Sequence, residues 1–223
     1  MNSKGIVVVG GCSLAFGAAF ANTGLVLQTG TSVSHLTGDI ANMTINLARW
    51  SPAMLADLVR VSVAAVCFLL GAILAGVVIH HPTLDMSRPY GRTIISIGLL
   101  FLVAAASVGH LPAAGIGLAA FGCGLQNSLA AHYRGLILRT THLTGMFTDF
   151  GVTLGMRLRG HHVAAWKIGV PFALIVAFFL GGLCSAALHF AGFDSIALAG
   201  IGYLFAGLAW SIWKHQYSKN KMK

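Results

Sequence analysis

The chain has 223 residues, of which 57% are hydrophobic and 9% charged, and its mean hydropathy is +0.82. A soluble domain carries about 25% charged residues. This composition therefore excludes a water-soluble globule and implies apolar helices that cross a hydrocarbon core roughly 30 Å thick. The formal net charge of +9 lies in inter-helix stretches and the tail, with no aromatic or Gly-rich pattern around it. It reads as a topology signal rather than a nucleic-acid footprint.

The first apolar run predicts a helix over 5–27. Its basic start and Ala-x-Ala ending are similar to a signal peptide, but the run has a partner in the second half of the chain, and cleavage would delete it. The stretch 28–52 follows, too polar for an ordinary span and too long for a turn, and it contains SHLTG at 34–38. Helices are then predicted over 53–79, 93–109 and 112–131, with Pro52, Pro82, Pro89 and Pro112 in the gaps. A second polar stretch, 132–163, contains THLTG at 141–145. The last two runs predict helices over 164–189 and 194–213. Trp210, Trp213 and Tyr217 suit an interfacial aromatic belt near the end. Cys12, Cys67, Cys123 and Cys184 all fall inside apolar runs and read as free thiols without a disulfide framework.

If only the six long runs cross, Lys and Arg segregate. Lys4, Arg88, Arg92, Arg134, Arg139, Arg157, Arg159, Lys167 and Lys214, Lys219, Lys221 and Lys223 share one side, and Arg49 and Arg60 the other. The rule that cytoplasmic loops are basic then puts both termini in the cytoplasm. Crossing of the two motif stretches, giving eight spans, would weaken this asymmetry.

The similarity between halves extends past the pentapeptide. Phe16-Gly17 and Asn22-Thr23 match Phe121-Gly122 and Asn127-Ser128, and FLLGAI at 68–73 resembles FFLGGL at 178–183. The expected fold is all-α: a polytopic membrane protein of six transmembrane helices in two repeats, 1–110 and 111–213, followed by a basic tail at 214–223. Three crossings per repeat invert the second against the first, and inverted repeats place a substrate site near the midplane, often with broken helices. Thr37 and Thr144 are expected to N-cap short helices of roughly four turns, each reaching about half-way through the bilayer.

The chemistry-bearing residues cluster on these stretches. All five acidic residues are Asp, and Asp39 and Asp149 follow the two Thr-Gly pairs. An ionisable group at depth is costly and marks a functional candidate. His35 and His142 precede the two helix starts, where imidazole could carry protons near neutral pH. The candidate substrate-binding set is His35, Thr37, Gly38, Asp39, His142, Thr144, Gly145, Thr148, Asp149, Asn22, Asn127 and Gln126. Arg134 and Arg139 nearby would suit an anionic substrate. Plainer roles compete: helix capping for Thr-Gly, backbone hydrogen bonds for the histidines and interhelical bonds for the asparagines. Asp57 and Arg60 read as an ion pair on one helix, and His80-His81 and His161-His162 as surface residues rather than metal ligands.

The order FG-x-x-x-x-N, HLTG, GLQNS and R-T-T-H-L-T-G-x-x-T-D-x-G resembles the YoaK-like family of bacterial membrane proteins over nearly the whole chain. The resemblance implies a bacterial inner-membrane location and about six helices, and it implies no substrate. Where that family tends to an acidic residue in its first helix this chain has Asn22-Thr23, and where it tends to Thr-Gly-Asn this chain has Thr37-Gly38-Asp39. The leading expectation is a transporter or channel for a small polar or ionic solute, with the lipid bilayer and that solute as partners. No nucleic acid, cofactor or metal is implied, and assembly with further copies stays open. A non-transporting assembly or sensor subunit is the alternative. An intramembrane enzyme built on Ser34, His35 and Asp39 is weaker, because the second copy has no matching Asp and the chain has no HExxH or GxSxG.

Overall fold

A computed structural model describes residues 3–52, 54–78, 90–129 and 140–221, with 132, 133, 136 and 137 between them. Among the described residues eight helices carry the fold: α1 Ser3–Thr29, α2 Leu36–Ala48, α3 Met54–Val78, α4 Tyr90–Val108, α5 Pro112–Asn127, α6 Leu143–Leu158, α7 Ala165–Phe190 and α8 Ser195–Lys221. A two-residue antiparallel hairpin, β1 His132–Tyr133 and β2 Leu136–Ile137, precedes α6. His80 and His81, expected as surface residues, and the arginines at 88, 134 and 139 lie outside the described residues, as does the side chain of Tyr217.

Five helices among the described residues are long and apolar enough to cross a membrane: α1 from Val8, α3, α4, α7, and α8 as far as Gln216. The expected span at 112–131 is shorter, because α5 stops at Asn127 after 16 residues, about 24 Å of helix at 1.5 Å per residue. Beyond Gln216 α8 continues unbroken to Lys221, so the basic residues at 214–221 extend the helix.

The helices have large apolar side chains on the outside. Val66, Leu69, Leu70, Ile73, Leu74 and Val77 form one exposed stripe along α3, and Phe172, Phe179 and Leu183 are exposed on α7. In lipid such a stripe incurs no transfer penalty, so helix association must come from close packing and small residues. Glycine supplies that packing. A Cβ placed on Gly71 of α3 would stand 2.1 Å from the Phe121 carbonyl oxygen of α5, and one on Gly124 of α5 would stand 2.1 Å from Phe68 O of α3. A Cβ on Gly181 of α7 would meet Phe16 O of α1 at 2.2 Å. The same crossing, glycine against a phenylalanine carbonyl, thus occurs in both pairs.

These approaches fix helix direction. Gly117 lies by Val63 and Gly124 by Phe68, so α3 and α5 are parallel; Gly11 lies by Leu174 and Gly24 by Ser185, so α1 and α7 are parallel. In α4 and α8, Gly91 meets Gly207 and Gly98 meets Gly200, an antiparallel contact in which both helices offer two glycines seven residues apart. Gly122 beside Phe101 and Gly115 beside Val108 make α4 and α5 antiparallel. It follows that α1, α4 and α7 run one way and α3, α5 and α8 the other. Each of these close pairs crosses the boundary at residue 110. Ile97, Phe101, Ile116, Leu25 and Ile196 fill the centre.

Candidate functional site: two polar loops that end on one helix

After Thr29 the backbone turns at Gly30, whose φ of 70° lies in the left-handed region that glycine adopts without a Cβ penalty. The chain then folds back along α1 instead of leaving the bundle. Asn22 makes this possible. Its Oδ1 accepts from Ser32 Oγ at 2.9 Å, Val33 N–H at 3.0 Å and Ser34 N–H at 3.1 Å. Ser32 Oγ in turn accepts the His35 N–H at 2.9 Å, and the Asp39 carboxylate accepts the Ser32 N–H at 2.7 Å. Asn22 lies seven residues before the end of α1, so the loop is held about 10 Å below that end.

The far end of α2 returns to the rim. Asn46 Nδ2 donates to Asp57 at 2.6 Å, Arg60 pairs with Asp57 at 2.9 Å, and Arg60 Nη1 donates to Thr29 O at 3.2 Å. The expected Asp57–Arg60 pair is therefore present and also ties the ends of α1 and α2 to the start of α3. A carbonyl at a helix C-terminus attracts a guanidinium for the same reason that the helix dipole does.

The second loop repeats the device with different partners. Asn127 Oδ1 accepts the Thr141 hydroxyl, and Asn127 Nδ2 lies 3.1 Å from His142 Nε2. Since the amide NH2 can only donate, His142 Nε2 is the acceptor in that contact. Thr140 and Thr141 are buried. Met146, in the position that Asp39 holds in the first copy, is 2% exposed and packs with Ala15, Val170 and Leu174. One short helix is thus tied by polar bonds and the other by apolar packing.

The two loops reach the same part of α7. The His35 ring stands edge-on to Phe178 with centroids 5.4 Å apart, and Phe178 is the fourteenth of the 26 residues of α7, its midpoint. Leu143 and Phe147 share with Phe178 and Phe179 a groove of about 590 Å³. His35 also lies within electrostatic reach of His142 and Asp39.

The capping expectation is corrected. His35 and His142 occupy the N-cap positions and neither side chain caps its helix; Thr37 and Thr144 already have helical geometry, two residues inside. The reason lies upstream. Asn22 and Asn127 hold the loops, so the backbone becomes helical at Leu36 and Leu143, and a threonine there cannot adopt the extended conformation that capping needs. The Thr148 hydroxyl instead donates to Thr144 O in its own helix.

The remaining candidates separate. Thr37, Gly38, Thr144 and Thr148 are exposed on the short helices, Gly145, Asp39 and Asp149 are half-buried, and a Cβ on Gly38 would meet nothing within 4 Å. Gln126 belongs to the bundle interior: its Nε2 donates to Leu14 O at 2.8 Å, and its Oε1 accepts from the Tyr203 hydroxyl. Sequence reading missed Tyr203, which sits over Gly17 where any side chain would collide, and Ser32, whose place three residues before His35 is a signal for a local hydroxyl turn. The four cysteines are unpaired. His161 and His162 are exposed, and no group of three potential metal ligands occurs among the described residues.

Long apolar helices, glycine crossings and two short helices opened by folded-back polar loops define a polytopic α-helical membrane protein. Within that class the chain belongs to the DUF1275 family, described as proteins of unknown function, whose model matches residues 10–209. No curated protein and no solved structure matches the chain.

Proposed function

We propose that the chain is a transporter or channel for a small polar or ionic solute, built as two inverted repeats of three crossings with both termini in the cytoplasm of a bacterium. Its site is the region between the two HLTG loops, bordered by His35, Thr37, Gly38 and Asp39 from one side and His142, Thr144, Gly145, Thr148 and Asp149 from the other. The observation that carries the reading is that both loops end beside the midpoint of α7. Polar backbone at that depth is tolerated only inside protein or along a wet cavity. Three features support the inverted repeat. The Gly71–Phe121 and Gly181–Phe16 crossings correspond, Asn22 and Asn127 perform the same task, and the α4–α8 contact is two-fold in form. On this reading α5 is the sixth crossing.

The test is uptake by proteoliposomes containing the purified protein, screened over small inorganic ions, carboxylates, amines and polyols with and without a pH gradient. Gly38→Val and Gly145→Val should lower flux at least tenfold while the proteins insert and purify normally. Flux of every solute at the level of protein-free liposomes would overturn the proposal.

A further inference from the structure

We infer that the basic end of the bundle holds an anionic phospholipid, with its phosphate on a layer of lysines and arginines and one acyl chain in a groove between α1, α7 and α8. The charged layer follows from helix register. Gly11 of α1 lies by Leu174 of α7, and Lys4 and Lys167 each stand seven residues before those positions. Phe150 of α6 packs on Phe172 with ring centroids 5.6 Å apart, and Leu143 borders one groove with Phe179. Helix α6 therefore runs back along α7 and brings Arg157 to the level of Ala165. Gly17 of α1 lies by Tyr203 and Gly24 by Ser195, so α8 runs against α1 and Lys214 comes to the level of Lys4. Four helices thus carry a basic residue at one level, to within about one turn.

No acidic residue among the described ones shares that level. Asp57 and Asp194 stand at the starts of α3 and α8, at the other end of the bundle. Asp39 accepts the Ser32 N–H in the first loop, and Asp149 lies eight residues before Arg157, about 12 Å deeper. The positive charges therefore add. Clustered Lys and Arg at a membrane surface attract anionic headgroups, and their long stems let the charge reach out of the apolar layer. Arg157 and Lys167 are exposed. Lys167 Nζ stands 5.9 Å from the centroid of the Trp166 ring, and Trp210 packs with Trp213 at 5.3 Å, aromatic neighbours that suit the headgroup level.

An apolar groove continues inward from this layer along the same helices. It holds about 490 Å³ and is bordered by Phe16 and Phe20 of α1, Ala177 and Leu180 of α7, and Leu198 and Ala206 of α8. Leu180 and Gly202 on its walls are exposed, so surrounding lipid can enter it. Lys214 follows Tyr203 by eleven residues, about three turns, and so shares the face of α8 that lines the groove. Cys12, on the groove wall nearest that end of α1, lies eight residues inside Lys4. The groove therefore begins in the hydrocarbon when the lysines stand among the headgroups. A soluble anion would leave the groove empty, and a neutral lipid would leave the cations unmatched. An anionic phospholipid has a part for each, and its binding is independent of transport.

The test is thermal unfolding of the full-length protein in detergent, titrated with dioleoyl phosphatidylglycerol, dioleoyl phosphatidylcholine or sodium phosphate. Phosphatidylglycerol should raise the unfolding temperature saturably, at a concentration about tenfold below that needed of phosphatidylcholine, and sodium phosphate should leave it unchanged. Lys167→Gln and Lys214→Gln should each weaken the phosphatidylglycerol effect about fivefold, the contribution of one basic residue at an anionic surface. Arg49→Gln at the other end should not alter it. A Cβ on Gly202 meets nothing within 4 Å, so Gly202→Leu should fill the groove and weaken the lipid effect several-fold without lowering the stability of the lipid-free protein. Equal stabilisation by the two lipids would overturn the inference. So would an effect of sodium phosphate matching that of phosphatidylglycerol, undiminished binding when both lysines are replaced, or full affinity in Gly202→Leu.

Discussion

Gly71 offers a direct test of the packing. Replacement by alanine would bring a methyl group within 2.1 Å of Phe121 O, with Leu125 N at 3.1 Å. Both obstacles are backbone atoms of α5 and cannot rotate away. Ordinary contact begins near 3.4 Å, so α3 and α5 must part by about 1.3 Å at their crossing, forfeiting a large part of the dispersion well for the atoms on either side. Overpacking of this kind costs about 1–3 kcal/mol, and 2 kcal/mol corresponds to an apparent Tm lower by about 6 °C for a chain of this size. The assay is thermal unfolding in detergent followed by loss of monodisperse protein. Gly76→Ala on the same helix is the control, since a Cβ there meets nothing within 4 Å, and alanine should stabilise it slightly by about 0.5–1 kcal/mol. Gly124→Ala meets Phe68 O at the same crossing. The double variant should therefore lose less than the sum of the singles, because the helices have already separated. A Gly71→Ala protein that melts with the Gly76→Ala control, or strict additivity of Gly71→Ala and Gly124→Ala, would refute the reasoning.

Single cysteines at Ser51 and His162, in a background lacking Cys12, Cys67, Cys123 and Cys184, should label from opposite faces of the membrane; labelling from the same face would reject the six-crossing inverted arrangement. Tyr203→Phe leaves the buried Oε1 of Gln126 without its donor and should cost about 1–3 kcal/mol, read as a lower Tm that Gln126→Leu partly restores in the double variant; an unchanged Tm would mean that the contact carries no stability. Asn22→Ala removes the acceptor of three hydrogen bonds, so hydrogen exchange at Val33 and Ser34 should accelerate while the amides of α4 keep their protection; unchanged exchange at those two amides would disprove the role given to Asn22. Solute uptake should vary with pH between about 5 and 8, and His35→Gln with His142→Gln should flatten that profile; an unaltered profile would leave both histidines with structural roles.

The helices were legible because a hydrocarbon core imposes a length, and six apolar runs of that length stand out from polar gaps around Pro52, Pro112 and Gly160. The motif loops were legible because His35 and His142 recur in the same surroundings. Partner choice was not. Lipid-facing Leu69 and buried Ile97 are equally apolar, so hydropathy cannot tell an outer face from an inner one. The glycine pairs that do mark contacts, Gly91 with Gly98 and Gly200 with Gly207, are visible only once the two helices are set side by side. The threonine caps were misplaced by two residues because a cap depends on where the backbone becomes helical, and Asn22, thirteen residues before His35, decides that. Tyr203 gave no signal, being a single polar atom in an apolar helix whose partner lies 77 residues away.

The crossings between α1 and α7 and between α3 and α5 have a consequence for biogenesis. A helix inserted early has to wait for one translated much later: α3 is complete at residue 78 but meets Gly124 only after α5 emerges, and α1 meets Gly181 only when most of the chain has been made. Until then their glycine faces are bare in the bilayer, open to any other small-residue helix in the neighbourhood. A nascent chain arrested after α6 would hold α1 without its main neighbour, and should be a substrate for membrane proteases where the finished protein is not. The two halves, produced as separate polypeptides, should each be short-lived alone and rescue one another when made in the same cell.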